Sequence, residues 1–269
     1  MNNVYQFNYL NCLVSVYHNG NVENTIKVDT LKNQMLEIYT NVYKYMGNIW
    51  DNVKLEIWDK NRLDIPKNTY NCNGTTCSVA SYGIGSYGGL TWASNKLIQI
   101  NTVVINNDID LANVLSHEVG HWLDHLEDSS IDSKMQKLWE QIRGKDATLD
   151  TPKSELIAED HRLLFGSSGA KGNRRTDKYN YKQATEVQGL ESFYLLWKPV
   201  NDFIKSLNNL LGVDLTIEYN PLNFSDCNII VNVRTGLQMN TLKYKFTRSG
   251  IYFESEFLFF KYYSLVRNF

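Results

Sequence analysis

The sequence predicts an α+β fold. Three observations carry that prediction. Short runs of β-branched and aromatic residues alternate before about residue 105 and return after about residue 213. Apolar stripes of helical period lie between them, most of all from 110 to 165. Residues suited to helix caps stand at the ends of those stripes. Strands gathered in one part of a chain and helices in another mark the α+β class rather than alternating β/α units.

Each element follows in order. Residues 3–17 alternate in part, His18-Asn19-Gly20-Asn21 supplies a turn, and Thr25 to Val28 resumes the strand, which predicts a hairpin. Asp29 or Thr30 can cap a helix to about Tyr45, with Leu31, Met35, Ile38, Val42 and Tyr45 on one stripe and Gly47 at the C-cap. Residues 53–58 alternate as a half-buried strand. Residues 66–95 are rich in turn formers, and 97–100 and 103–105 read as strand. Asn107, Asp108 and Asp110 offer N-caps for a helix from about 110 to 126. Two more helices are expected near 131–143, ending at Gly144, and at 153–165, where Pro152 fits the first turn behind Thr151. Residues 166–188 form a Gly/Ser/Lys/Asn-rich connection that includes Arg174 and Arg175, read as solvated. Residues 190–211 are helical with an interruption at Pro199, and strands return at 215–219, 229–233 and 241–253. The expected organisation is a main domain over 1–212 and a small β-rich C-terminal segment over 213–269. In that segment the aromatic clusters at 252–263 suit stacking on carbohydrate or binding a protein partner, and the alternating Ile251, Phe253 and Phe257 to Phe260 are read as core or a docking edge.

Composition narrows the function classes. With 269 residues and 43% hydrophobic content, a packed core needs no disulfide staples. A formal net charge of -2 removes the electrostatic case for a nucleic-acid binder. No run of eighteen apolar residues exists, so no membrane span is expected, and residues 1–11 do not read as a Sec-type signal peptide. Those two readings leave a cytoplasmic location, association with a particle, or export by a non-Sec route. Of the four cysteines only Cys72 and Cys77 are close. Cys72-Asn-Gly-Thr-Thr-Cys77 can close a small disulfide loop, form a metal knuckle, or hold two free thiols.

The chemistry concentrates in His117-Glu118-Val119-Gly120-His121. Histidines four apart share one helix face and can bind one Zn²⁺ through their imidazoles. Glu118, one step round the helix, addresses water rather than metal. It is the candidate general base that passes a proton to a leaving amine. A third protein ligand is needed. His125 lies eight residues beyond His117, roughly 12 Å along the axis, so a straight helix cannot bring both to one ion. The metzincin pattern H-E-x-x-H-x-x-G-x-x-H fails because Asp124 and Glu127 occupy its last glycine and histidine. Downstream, Glu155 and Glu159 are four apart and face the same way, and small Ala158 between them permits close helix approach. An ordinary acidic helix face has the same spacing.

His117-Glu-x-x-His121 followed by Glu155-x-x-Ala158-Glu159 resembles the gluzincin arrangement. That resemblance makes Glu155 the third ligand and gives Glu159 or Asp160 the task of orienting a ligand histidine through its free N–H. With Asp124 included, the set is similar to the catalytic-domain family of anthrax lethal factor and its clostridial zinc-peptidase relatives, over about 97 to 165. The resemblance implies a zincin-like fold: a twisted mixed sheet, a backing helix, an active-site helix and a helical lower half. It further implies an antiparallel edge strand at Leu97–Asn101 to which extended peptides add, and places Asp124 in support of the metal site. The chain departs at Thr148, where the family has the tyrosine that stabilises the oxyanion; His161, Tyr179 or Tyr181 could take that role, or none. The metal site carries over and the substrate does not. Ala158 to Gly166 also resembles zincin-like proteins of Firmicutes and their phages.

The function expected is a zinc endopeptidase with Zn²⁺ on His117, His121 and Glu155, acting on a peptide or protein substrate. The alternatives are a zincin-fold structural or binding protein of a phage particle, and an intracellular regulatory peptidase. Gly83-Ile-Gly85-Ser-Tyr-Gly88 matches a dinucleotide fingerprint in letters only. Gly89-Leu-Thr-Trp-Ala after it reads as extended rather than helical, so the stretch is a loop at the lip of a cleft.

Overall fold

A computed structural model describes residues 3–18, 26–58, 69–72, 75–78, 88–102, 105–126, 139–145, 153–171, 182–191, 193–195, 213–219, 227–235, 238–247, 250–257 and 260–268. The chain is α+β with a mixed sheet. Its contacts divide it into two units. The first comprises Met1–Tyr43, Asn48–His125 and Ser154–Thr176; the second comprises Lys44–Gly47, Leu126–Lys153 and Asp177–Phe269.

The first unit opens with a hairpin of β1 (Asn3–Tyr9) and β2 (Cys12–His18), paired from Asn3 opposite His18 to Tyr9 opposite Cys12. The turn is therefore Leu10-Asn11, not His18–Asn21. Both turn residues have positive φ, 52° and 66°, as the tight two-residue hairpin turn requires. A leucine there carries no compositional signal, whereas His18–Asn21 only looks like a turn; Asn19 to Asn21 lie outside the described residues. Val28 is helical and not strand. It opens α1 (Val28–Met46), whose Asp29 suits the positive end of the helix. Leu31, Met35, Ile38 and Val42 of its stripe are buried, and Gly47 follows at φ 73°. The side chain of Tyr45 lies outside the described residues.

The sheet has the order β1-β2-β3-β7-β6, adding β3 (Lys54–Trp58), β6 (Gly89–Trp92) and β7 (Leu97–Asn101). β2, β3 and β7 run parallel, and β1 and β6 are antiparallel at the two ends. Parallel neighbours require a crossover, and α1 supplies the first. Val14, Val16, Leu55, Ile57, Ile98 and Ile100 are fully buried on these strands. Between β3 and β6, β4 (Thr69–Cys72) and β5 (Thr75–Ser78) pair as a small hairpin, with Cys72 opposite Thr75 and Cys77 opposite Tyr70. Their side chains, and so the thiol question, lie outside the described residues.

Three helices complete the first unit: α2 (Asp108–Leu126), α3 (Lys153–Phe165) and the single turn α4 (Ser168–Lys171). Helix α1 ties them together. Gln34 donates to the Asp108 carbonyl at 2.9 Å. Asn41 donates to the Phe165 and Gly166 carbonyls at 3.2 and 2.9 Å, satisfying acceptors left open at the end of α3. The Ser168 N–H donates to Glu37. Trp122 on α2 donates its indole N–H to the Ile49 carbonyl at 2.7 Å.

The second unit contains a five-stranded antiparallel sheet of order β12-β11-β10-β9-β8. Its strands are β8 (Val213–Tyr219), β9 (Cys227–Thr235), β10 (Gln238–Thr247), β11 (Gly250–Phe257) and β12 (Phe260–Asn268). The run expected at 241–253 is two strands, β10 and β11, joined between Thr247 and Gly250. Residues 139–143 are helical and end at Gly144, as its position predicts. Pro152, Thr151, Arg174, Arg175 and Pro199 lie outside the described residues. No helix among the described residues is long and apolar enough to cross a membrane.

Candidate metal centre

Helix α2 begins where the caps predict. The Asn107 side chain accepts from the N–H groups of Ile109 and Asp110, both at 2.9 Å, and Asp110 accepts from the Asn106 N–H. From that start, His117 and His121 fall on one face with ring centroids 4.8 Å apart. Helix α3 crosses α2 at Gly120. A Cβ built on Gly120 would lie 2.5 Å from the Ala158 carbonyl oxygen and 2.7 Å from its Cα. No residue but glycine allows the backbones so near, and this approach delivers Glu155 and Glu159 to the histidines.

The donor atoms converge. Glu155 places Oε2 3.3 Å from His117 Nε2 and Oε1 3.5 Å from His121 Nε2. One donor atom from each of the three residues lies within 4.8 Å of the others, a grouping found here alone among the described residues. Zinc bonds of 2.0–2.1 Å in tetrahedral geometry set donors about 3.4 Å apart, so the residues fit such an ion. Two nitrogens and a carboxylate oxygen also suit other divalent ions of borderline softness. The centre is open on one side: the Glu155 side chain is 45% exposed and that of His121 19%, against 7% for His117.

Behind His117 stands a buried ionic chain. Its Nδ1 lies 2.6 Å from Glu159 Oε1. A carboxylate only accepts, so Nδ1 donates to Glu159, and without a metal Nε2 likewise carries a proton toward Glu155; a bound ion would take the place of that second proton. Glu159 Oε2 in turn accepts from Arg162 Nε at 2.9 Å, with a second guanidinium nitrogen at 2.8 Å. Arg162 is buried and also donates to Asn113 and to the Ala170 carbonyl. Burial works against charge on His117, but the carboxylates of Glu155 and Glu159 outweigh it and lift its pKa to about 9. Burial would raise Glu159, yet His117 and Arg162 hold it down at about 2. Glu155 is held well below the usual carboxylate range, first by its hydrogen bonds to His117 and His121.

Glu118 has a different setting. It is buried, and burial raises its pKa against the pull of His117, His121 and Thr91. Its neighbours come from β6. Thr91 Oγ1 lies 2.8 Å from the Glu118 carbonyl oxygen and 2.8 Å from Oε2. A Cβ built on Gly89 would lie 2.5 Å from Glu118 Cγ and 2.8 Å from Oε1.

The expected residues thus gather in the first unit. His117, His121 and Glu155 meet, Glu118 stands beside them, and Glu159 contacts His117. Asp160, next along α3, is fully buried, and Asp124 is half-buried near the end of α2. The side chain of His125, and Thr148, Tyr179 and Tyr181, lie outside the described residues; His161 is buried. Leu97–Asn101 is not the edge strand. It is paired on both sides, and among the described residues the antiparallel strand that ends the sheet beside it is Gly89–Trp92. Four residues among glycines gave too short a run to register as an edge. Arg162, Thr91 and Gly89 were not foreseen. Arg162 was within reach, since it stands three residues after Glu159, the spacing of a helical ion pair. Thr91 lies 27 positions from Glu118, and no local pattern links them. Comparison with protein-family models, curated proteins and solved structures returns no match to this chain.

Proposed function

We propose that this chain is a zinc-dependent endopeptidase of the gluzincin type, with a zincin-like fold in its first unit. One observation carries the reading: three donor atoms converge from two touching helices, with a buried carboxylic acid one residue from the first ligand. His117, His121 and Glu155 would hold the ion, which when bound supplies Lewis acidity to water and to a substrate carbonyl. Glu118 takes a proton from the attacking water and returns it to the leaving amine. Burial raises its proton affinity toward the range where it can do both. Glu159, fixed by Arg162, keeps the His117 ring turned so that Nε2 points to Glu155 and His121, where it would serve as a ligand. The substrate class is a peptide or protein chain, reaching the side where Glu155 and His121 are exposed.

Elemental analysis of wild type, Glu155→Ala and Glu118→Ala, each assayed against casein and a peptide library, tests the assignment. The expected result is about one zinc per wild-type chain, loss of metal in Glu155→Ala, and retained metal without cleavage in Glu118→Ala. Wild-type protein that takes up no zinc when it is supplied overturns the reading. Zinc uptake with no cleavage of any library member reassigns the ion to a structural role.

A further inference from the structure

The two alternate residues Gly89 and Thr91 of β6 meet one side chain of α2. On a strand, residues i and i+2 share a face. The register agrees: Gly89 pairs with Ile100 and Thr91 with Ile98, both fully buried. This face of the sheet edge therefore looks toward α2, with Gly89 and Thr91 themselves half-buried. Glu118 fills the space a side chain at 89 would need, its Cγ 2.5 Å and Cδ 2.8 Å from where that Cβ would stand. Thr91 Oγ1 lies 2.8 Å from Oε2 and 2.8 Å from the Glu118 carbonyl oxygen, so its one O–H proton faces two acceptors of the same residue. A carboxylate with three free torsions is thus confined by a wall and a hydrogen bond from one short strand.

We propose that Gly89 and Thr91 are positioning residues that fix the Glu118 carboxyl beside the metal centre. This rests on reading Glu118 as the proton-transfer group. The Thr91 hydroxyl and the close approach at Gly89 both meet Glu118, so the two tasks separate: the helices hold metal, and the sheet edge holds the base. A misplaced base slows proton transfer without loosening the ion or the substrate. Other residues at 91 differ in a defined way. Serine keeps the hydroxyl, while valine keeps the shape and removes the donor.

The test compares wild type with Thr91→Val, Thr91→Ser and Gly89→Ala, using zinc alone as the binding probe and a cleavable library peptide for kinetics. Thr91→Val and Gly89→Ala should lose about tenfold to a hundredfold in kcat, with KM and zinc affinity each within about twofold of wild type. Thr91→Ser should return kcat to within about threefold of wild type. Full kcat in Thr91→Val, or loss of zinc together with kcat, overturns the proposal. A second readout needs no activity: denaturant midpoints for Thr91→Val, Glu118→Ala and the double variant. Midpoint shifts that fail to add support the contact; additive shifts overturn it. If wild type binds zinc but cuts nothing, the peptidase reading falls, and this cycle alone then decides whether the sheet edge holds Glu118.

Discussion

His117 has two competing partners. Its Nε2 faces Glu155 and its Nδ1 faces Glu159, and without metal the two carboxylates together hold a proton on the ring up to pH about 9. A metal ion needs Nε2 free, so binding must expel that proton. Calorimetric zinc titration in buffers of different ionisation enthalpy should register about one proton released per ion at pH 7–8, falling as the pH passes about 9. Glu159→Gln removes one of the raising charges, so the release at pH 8 should shrink. A titration with no proton release at pH 7 would contradict the contact. The same shift sets a stability profile for the metal-free protein. The folded value lies above the ordinary 6.5, so this group's contribution is full below that pH and disappears as pH rises through about 9. Glu159 is shifted downward from 4.5, so its contribution is present above 4.5 and is lost as pH falls through about 2. At this scale the sequence was readable where one helix decides the geometry. His117 and His121 follow from a spacing of four; Glu155 and Glu159 share a helix face by the same spacing, and their part at the centre was implied by the gluzincin resemblance. Thr91 was not readable, because a strand and a helix meet there through tertiary packing alone.

Among elements, the crossing of α2 and α3 decides whether the ligands meet. It depends on Gly120 having no side chain opposite the Ala158 backbone. Gly120→Ala improves intrinsic helix propensity by about 1 kcal/mol, but it drives a methyl into a carbonyl oxygen, and overpacking of this kind costs about 1–3 kcal/mol. The expected net result is a lower denaturant midpoint and weaker zinc binding together, because Glu155 rides on the displaced helix. A stabilised variant with unchanged zinc affinity would show that the helices have room to spare. The helices themselves were legible from their stripes and caps: α1 begins and ends within a residue or so of Asp29 and Gly47, α2 begins next to Asn107, and α3 spans the stretch 153–165 expected for it. The strands were less so. The β1–β2 turn uses a leucine at positive φ, and β6 is four residues long. A lone Asn11 beside that leucine, and four residues behind a glycine run, fall short of the Asn-Gly pair and the sustained alternation on which strand and turn reading relies.

For the whole molecule, every group of the candidate centre belongs to the first unit, and the five-stranded antiparallel sheet belongs to the second. Ligand binding stabilises what it binds, by about 2.7 kcal/mol at a hundred times Kd. Hydrogen exchange with and without zinc should therefore show added protection in α2 and α3, and unchanged exchange in β8 to β12. Equal protection throughout would mean that the chain opens as a single cooperative block. The α+β class was legible because its signals, strand period and helix period, repeat over many residues. The grouping of residues 126–153 with the C-terminal strands was not, since a fold's long-range pairing leaves no local periodicity.

The close approach at Gly120 changes what the motif means in this chain. In H-E-x-x-H the two middle letters are written as if any amino acid would serve. Here Val119 is buried in the core and Gly120 abuts a neighbouring backbone. The vocabulary open to those two letters is a few apolar residues at the first and a single residue at the second. A substitution there would leave every chemical group of the motif in place and still dismantle it, so conserving the two histidines and the glutamate is not sufficient to conserve the centre.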